Sequence, residues 1–212
     1  MGDMGQAVAL PALGKQVKFS PDLTLIVPAY NEAARLPATL AGIKAELDRW
    51  PLDYHVLVVD DGSRDGTWEV LEGFDPRFSC WRMTKNSGKG AAVRAGMLQA
   101  TGRVVAFTDA DLPFDLSALR TAFEWIDQGE CDLVCGDRTS DEDSHAGGQS
   151  SSWMRWLSGV AFRQLVWWIV APQVRDTQCG LKIFSRQAAL DVFAEIEATG
   201  FAFDVEVICR AQ

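Results

Sequence analysis

Positive charge is scarce in this chain: 20 Lys and Arg stand against 29 Asp and Glu, for a formal net charge of −9 at pH 7. A general nucleic-acid binder needs clustered cations to neutralise phosphates, so no nucleic-acid partner is expected. Long apolar runs are also missing. The nearest approach to the ~18 residues that a membrane span requires is 151–172, which Arg155 and Arg163 interrupt. Residues 1–20 lack a basic start followed by an apolar core and contain Pro11 and two lysines, so no secretory signal is read there. Gln6 stands where an N-myristoylation signal requires Ser or Thr. Cysteine is odd in number: Cys80, Cys131, Cys135, Cys179 and Cys209 lie scattered among apolar residues. Cys131 and Cys135 have four-residue spacing, but no second Cys or His pair completes a zinc set. The five read as free thiols of a reducing cytosol. Histidine is confined to His55, inside an apolar run, and His145, in a polar stretch. No internal repeat or low-complexity tract is present.

What is present is ordinary globular material. With 212 residues, 48% of them apolar and 23% charged, the chain suits one α/β domain. Apolar β-branched runs predict strands over 23–28, 54–60, 78–83, 103–109 and 131–136. Helices are expected over 32–49, from 65, over 88–100 and over 115–128. Strands that are apolar throughout, each followed by a helix, predict a mostly parallel sheet covered on both faces. Ligands of such sheets bind at the carboxyl ends of the strands. The regularity then breaks. Residues 137–152 are rich in Gly, Ser and Asp and read as a mobile loop, followed by a Trp-rich helix over 153–170. A turn at 176–182 leads into a short strand, LKIFS, and 203–212 reads as the start of a helix. That helix runs to the end of the chain without a cap or turn signal, the pattern expected of a sequence cut short.

Three strand ends carry acid: Asp60-Asp61, Asp109-Ala110-Asp111 and Asp137. Two carboxylates at i and i+2 on a tight turn can point into one crevice. Mg²⁺ and Mn²⁺ prefer such oxygen ligands and complete their shells with water and substrate phosphates. That arrangement suits a diphosphate leaving group. Any one of these acids could instead cap the helix that follows it, but three on one sheet edge favour a site. The stretch Asn86-Ser87-Gly88-Lys89-Gly90 is neither a P-loop nor the start of a dinucleotide fingerprint, because Gly90 replaces the Ser or Thr required by the first and Val93 the Gly or Ala required by the second. A Gly-rich helix start carrying Lys89 could still approach an anion, and a plain tight turn explains it equally well.

Four segments occur in order: Val27-Pro28-Ala29-Tyr30-Asn31-Glu32, Val58-Val59-Asp60-Asp61-Gly62-Ser63-Arg64-Asp65-Gly66-Thr67, Gly88-Lys89-Gly90-Ala91-Ala92-Val93-Arg94-Ala95-Gly96 and Asp109-Ala110-Asp111. Together they resemble the family 2 glycosyltransferases, which implies a single-domain GT-A fold, Rossmann-like, with a mostly parallel central sheet flanked by helices. Asp176-Thr177-Gln178-Cys179-Gly180-Leu181-Lys182 and Phe203-Asp204-Val205-Glu206 resemble the polyprenyl-phosphate branch, in the form found in dolichyl-phosphate glucosyltransferases. The resemblance runs from about residue 22 to the end, leaving 1–21 as a flexible extension. It implies that Pro28, Tyr30, Glu32 and Asp61 surround a nucleoside, with Tyr30 beside the base and Asp61 on a base N–H or ribose hydroxyl. Lys89 would join them at the donor. Asp109 and Asp111 would hold Mg²⁺ or Mn²⁺ and the diphosphate, with Asp111, Arg138 and Arg155 at the reacting end. The two arginines would grip a lipid phosphate, a task that suits a guanidinium better than an ammonium. Pro113 departs from mannosyl relatives, which place a Gln metal ligand there, and Ser158 lies three rather than four residues after Arg155.

The reaction so implied is inverting transfer of glucose from UDP-glucose to a polyprenyl or dolichyl phosphate. A phosphate monoester is already ionised at neutral pH, which agrees with the lack of a histidine placed as general base. Trp153, Trp156, Trp167 and Trp168, on a segment too charged to span a bilayer, suggest an interfacial helix. The chain is therefore expected on the cytoplasmic side of a membrane, held at its surface. Three alternatives stay open: a GDP-mannose-dependent mannosyltransferase, a relative with a soluble acceptor, and a non-catalytic, membrane-associated nucleotide-sugar-binding domain.

Overall fold

Leu23–Ala29 (LTLIVPA) is buried at every position, so β1 must lie inside a sheet covered on both faces. A computed structural model describes residues 20–110, 116–136, 179–200 and 202–211. The loop expected over 137–152, the Trp-rich helix over 153–170 and nearly all of the extension over 1–21 lie outside these residues.

The elements that follow are α1 (Leu36–Leu47), β2 (Tyr54–Asp60), a 3₁₀ helix (Thr67–Leu71), β3 (Phe78–Arg82), α2 (Lys89–Gln99), β4 (Val104–Phe107) and α3 (Ser117–Asp127). Then come β5 (Leu133–Cys135), β6 (Lys182–Ser185), α4 (Arg186–Glu195) and α5 (Phe203–Arg210). Six strands form one sheet in the order β3-β2-β1-β4-β6-β5. β1 pairs in parallel with β2 and β4, while β6 runs antiparallel to both β4 and β5. The sheet is mostly parallel, as expected, with an antiparallel strand inserted between β4 and β5.

Period two along β1 divides the core. Leu23, Leu25 and Val27 face α1 and α3, packing with Leu40, Ile43, Phe123 and Ile126. Ile26 faces the other layer with Val93, Met97, Phe107, Phe184, Phe193 and Phe203 from α2, α4, α5 and their strands. Each such fully buried side chain contributes about 1.5–3 kcal/mol of transfer free energy. Phe107, Phe184 and Phe193 form edge-on and offset ring contacts at centroid distances of 5.5–6.4 Å. That aromatic block fastens β6 and α4 onto β4.

Local departures from the sequence-based expectations have simple causes. The helix expected from residue 32 begins at Leu36, because Glu32 is spent in a turn whose carbonyl accepts from Arg35 and Leu36 N–H. The helix expected from 65 is only the five-residue 3₁₀ turn, entered through Gly66 at φ 86°. α4 was not anticipated. It starts at Ser185, whose Oγ accepts from Ala188 N at 3.3 Å, and buries Ala189, Val192 and Phe193. Among the described residues no helix is long and apolar enough to cross a membrane.

Candidate functional site

The carboxyl ends of β1, β2 and β4 meet the start of α2 around a cleft of about 520 Å³. Its walls include Pro28, Tyr30, Glu32, Asp61, Lys89 and Asp109, so one concavity gathers all six of the expected site residues that fall within the described chain. Ala29, Asn86, Gly88, Ala92 and Ala110 complete the lining; they stand in the motifs quoted above, where no site role was given to them. Asp111, Arg138 and Arg155 lie outside the described residues.

The β1 and β2 ends are stitched together by short polar side chains. Asn31 N–H donates to Ser63 Oγ at 2.8 Å, and Arg64 N–H donates back to Asn31 Oδ1 at 3.0 Å. Glu32 N–H donates to Thr67 Oγ1 at 2.8 Å, and Ala33 N–H to Asp65 Oδ2 at 3.1 Å. These bonds hold Asn31 at φ 54°, a left-handed conformation that Asn tolerates better than most residues. The sharp turn leaves Tyr30 43% exposed on the cleft wall. Glu32 is drawn to Arg35 by two bonds of 2.8 Å.

Asp60 and Asp61 are adjacent in sequence but opposite in task. Asp60 is wholly buried; its Oδ1 accepts from Ser63 N–H at 2.9 Å, and Arg82 Nε lies 3.4 Å from Oδ2. Asp61 reaches the next loop, where its two oxygens accept from Ser87 N–H at 2.7 Å and Gly88 N–H at 2.8 Å. Gly62 makes that junction possible. Its φ is +70°, and a Cβ there would sit 2.6 Å from the Lys85 backbone carbon. Neither of these acids nor Asp109 is the N-cap of the helix after its strand, so helix capping does not account for them.

The Gly88-Lys89-Gly90 segment is a site of close chain packing. Gly90 N–H donates to Thr199 O at 2.9 Å, and a Cβ on Gly90 would meet Ala198 O at 2.6 Å. The glycines thus press the start of α2 against 198–200, and Lys89 projects from that start. Lys89 Nζ lies 2.5 Å from Asp109 Oδ1 and 5.7 Å from the centre of the Phe203 ring. On the other side of Asp109 stands Gly180, where any Cβ would collide with Oδ2.

Behind this pair sits a second one that the sequence reading did not single out. Lys182 is fully buried, and its Nζ donates to Asp204 Oδ1 at 2.5 Å and to Cys179 O at 2.8 Å. Burial pushes the Asp204 carboxyl upward in pKa; the charges of Lys182 and Lys89 oppose that shift and Asp109 adds to it. A lysine beginning an otherwise apolar strand was the available signal, since a buried ammonium needs a buried acid. His55 is not part of the site. It lies within β2, its Nε2 is 2.8 Å from Ser79 Oγ, and desolvation holds its pKa below the usual value.

Among the described residues no group of three His, Cys, Asp or Glu side chains is placed to hold a metal. Asp109 offers a carboxylate on the cleft wall, partly exposed and next to Lys89. This fits one oxygen ligand to a hard cation whose remaining shell comes from substrate and neighbours.

Residues 24–193 match glycosyl transferase family 2. The chain is 36% identical to the dolichyl-phosphate beta-glucosyltransferase of Drosophila melanogaster, covering 91% of this chain and 63% of that protein. It is 33% identical to the protein of that name from Homo sapiens, covering 98% of this chain and 68% of the relative. The chain thus spans about two thirds of the length of these relatives. Among solved structures, glucosyl-3-phosphoglycerate synthase from Mycobacterium tuberculosis, in complex with Mn²⁺, UDP-glucose and phosphoglyceric acid, superposes with a TM-score of 0.61 at 18% identity. That alignment covers 87% of this chain and 62% of the synthase, and it shows the GT-A fold. With motif order, sheet and relatives in agreement, the chain belongs to glycosyl transferase family 2.

Proposed function

We propose that this chain transfers glucose from UDP-glucose to a polyprenyl or dolichyl phosphate at a membrane surface, with inversion at the anomeric carbon. The observation that carries this reading is that one cleft is shared by Tyr30, Glu32, Asp61, Lys89 and Asp109, with Asp61 after β2, Tyr30 after β1 and Asp109 after β4 across three neighbouring strands. A nucleoside and a diphosphate have that order of chemistry. Tyr30 presents an exposed ring to a base. Asp61 already accepts two backbone N–H groups, so a base N–H or ribose hydroxyl would use its remaining lone pairs. Lys89 would lie beside the diphosphate. The identity with dolichyl-phosphate beta-glucosyltransferases supports both the sugar and the acceptor.

In the transfer, an oxygen of the lipid phosphate forms a bond to the anomeric carbon as the bond to UDP breaks. UDP leaves with the electron pair. The acceptor oxygen carries no proton at neutral pH, so no side chain has to remove one. Asp109 and Asp111 would hold Mg²⁺ or Mn²⁺, which supplies charge neutralisation to the departing diphosphate. Arg138 and Arg155 would align the acceptor phosphate, and the Trp-rich segment over 153–170 would rest on the cytoplasmic face of the bilayer. Catalysis then comes from positioning and electrostatics.

The test is a donor panel of UDP-glucose, GDP-mannose and UDP-GlcNAc against polyprenyl phosphate in vesicles with Mg²⁺ or Mn²⁺. Glucosylated lipid from UDP-glucose is expected. Preference for GDP-mannose would overturn the sugar assignment, and transfer only to soluble acceptors would overturn the lipid. UDP binding without transfer or donor hydrolysis would identify a non-catalytic domain. Replacing Arg138 with Ala should raise KM for the lipid far more than for UDP-glucose; equal effects would remove it from the acceptor site.

A further inference from the structure

The geometry points to Lys182 and Asp204 as positioning residues that set the Asp109 carboxylate for a metal-diphosphate ligand, although neither lines the cleft. This rests on reading the cleft as a nucleotide-sugar site. Lys182 opens β6 in register with Phe107, the last residue of β4, two residues before Asp109. Burying an ammonium is costly unless its donors are satisfied, and an apolar pair of similar volume often serves stability equally well. An ion pair offers direction that an apolar pair lacks.

That direction is visible on both sides of Asp109. Lys182 Nζ holds Cys179 O at 2.8 Å, which fixes the turn carrying Gly180. Gly180 in turn sets its backbone so close to Asp109 that a Cβ would collide with Oδ2 and lie 2.7 Å from Cγ. Oδ1 of the same carboxylate meets Lys89 at 2.5 Å. Asp204, on α5, anchors the first of these contacts through Lys182. Glu206, two residues on, anchors the second: it accepts from Ala198 N–H at 2.8 Å and from Glu197 N–H at 3.2 Å. The segment held by Glu206 supplies the carbonyls of Ala198 and Thr199 that abut Gly90 and Gly88, the base from which Lys89 projects. α5 therefore grips Asp109 from two directions without touching a ligand. The two acids of Phe203-Asp204-Val205-Glu206 and the Gly180 and Lys182 of the preceding motif acquire one common purpose.

The experiment uses the whole chain and measures Mn²⁺ binding by electron paramagnetic resonance in the presence of UDP, alongside calorimetric UDP binding without metal. Lys182→Met should weaken Mn²⁺ binding about tenfold or more, as loss of a residue that orients a metal ligand does. Metal-free UDP binding, which draws on the Tyr30 end, should stay within about twofold. Lys182→Met with Asp204→Leu removes both charges, so no lone buried charge threatens folding, and should show the same loss. Gly180→Ala leaves the ion pair intact, presses directly on Asp109 and should reproduce the effect. Unchanged Mn²⁺ affinity in the double variant or in Gly180→Ala, whatever the change in Tm, would overturn the inference and leave the pair a purely structural one. A wild-type chain that binds neither UDP nor Mn²⁺ would instead overturn the reading of the cleft itself.

Discussion

The two ends of the cleft are held by different physics. Where β1 and β2 end, the loops are held mainly by bonds from backbone N–H groups, accepted by the neutral Asn31, Ser63 and Thr67 and by the carboxylates of Asp60, Asp61 and Asp65. Where β4 ends and β6 begins, four charges stand in two pairs, Lys89 with Asp109 and Lys182 with Asp204. A neutral hydrogen bond is worth about 1 kcal/mol, and losing one loosens a loop by a small step. Lys182 and Asp204 are buried, and a buried charge stripped of its partner costs about 3–5 kcal/mol, so that pair is closer to all or none, whereas Lys89 and Asp109 are partly exposed and better screened. Substitutions of the neutral side chains at the β1–β2 end should act in graded fashion, and those of the buried Lys182–Asp204 pair should not.

The harshest challenge to that contrast is Asp109→Ala. Transfer should fall by at least about 10²-fold, since on the proposed reading the variant removes a ligand to the metal that would neutralise the departing diphosphate, and it leaves Lys89 without its acid. Single-turnover transfer from UDP-glucose measures it, and metal-dependent turnover near the wild-type rate would erase the contrast. Asp111→Ala should abolish transfer while the circular dichroism spectrum stays native. Gly62→Ala comes next, because it attacks the junction between the two ends. With φ +70° and backbone atoms 2.6–2.9 Å from the new Cβ, a loss of about 2–3 kcal/mol in urea unfolding is expected. Ser63→Ala should cost only about 1 kcal/mol and weaken UDP binding a few-fold by calorimetry, through the freed Asn31 N–H. A loss as large as that of Gly62→Ala would show that the neutral stitches are not graded after all.

The smallest effect lies away from the cleft, where Asp48, Asp75, Lys44, Arg77 and Tyr54 form a network near the surface. Hydrogen bonds from Lys44, Tyr54 and Arg77 lower the Asp48 carboxyl to about 2, and chiefly the Arg77 guanidinium lowers Asp75. A carboxyl whose folded pKa lies below its unfolded one adds stability above the unfolded value of about 3.9, and that stability is lost as pH falls toward the folded value. The urea midpoint should therefore drop between pH 5 and pH 2.5. Asp48→Asn should reduce the drop slightly, because solvent screens exposed pairs.

Much of the β1–β2 end was legible in the sequence. Its strands are unbroken apolar runs, and its polar residues follow them within a few positions, so strand, turn and candidate residue could be read together. The β4–β6 end was half legible. LKIFS reads as a strand, but nothing local says that it runs backwards between β4 and β5, because that depends on where the chain returns after residue 178. α4 escaped notice because its buried face is just Ala189, Val192 and Phe193, too short a stripe to stand out from its polar neighbours. The Gly-rich start of α2 reads equally well as an anion site and as a plain turn. Its glycines serve packing against 198–200, and its lysine meets an acid twenty positions away, which no local pattern encodes.

By itself, the sequence determined which segments are strands, which faces they bury and that acids gather at the strand ends. Those follow from apolar periodicity and from the cost of burying unpaired polar groups, both local properties. Only the tertiary structure decided which charges meet. Asp109 found Lys89, Lys182 found Asp204, and Gly180 came to rest against a carboxylate from another strand, because strand direction and register are set by packing across the whole sheet. An ion pair between distant residues exists once that packing has brought its two charges together.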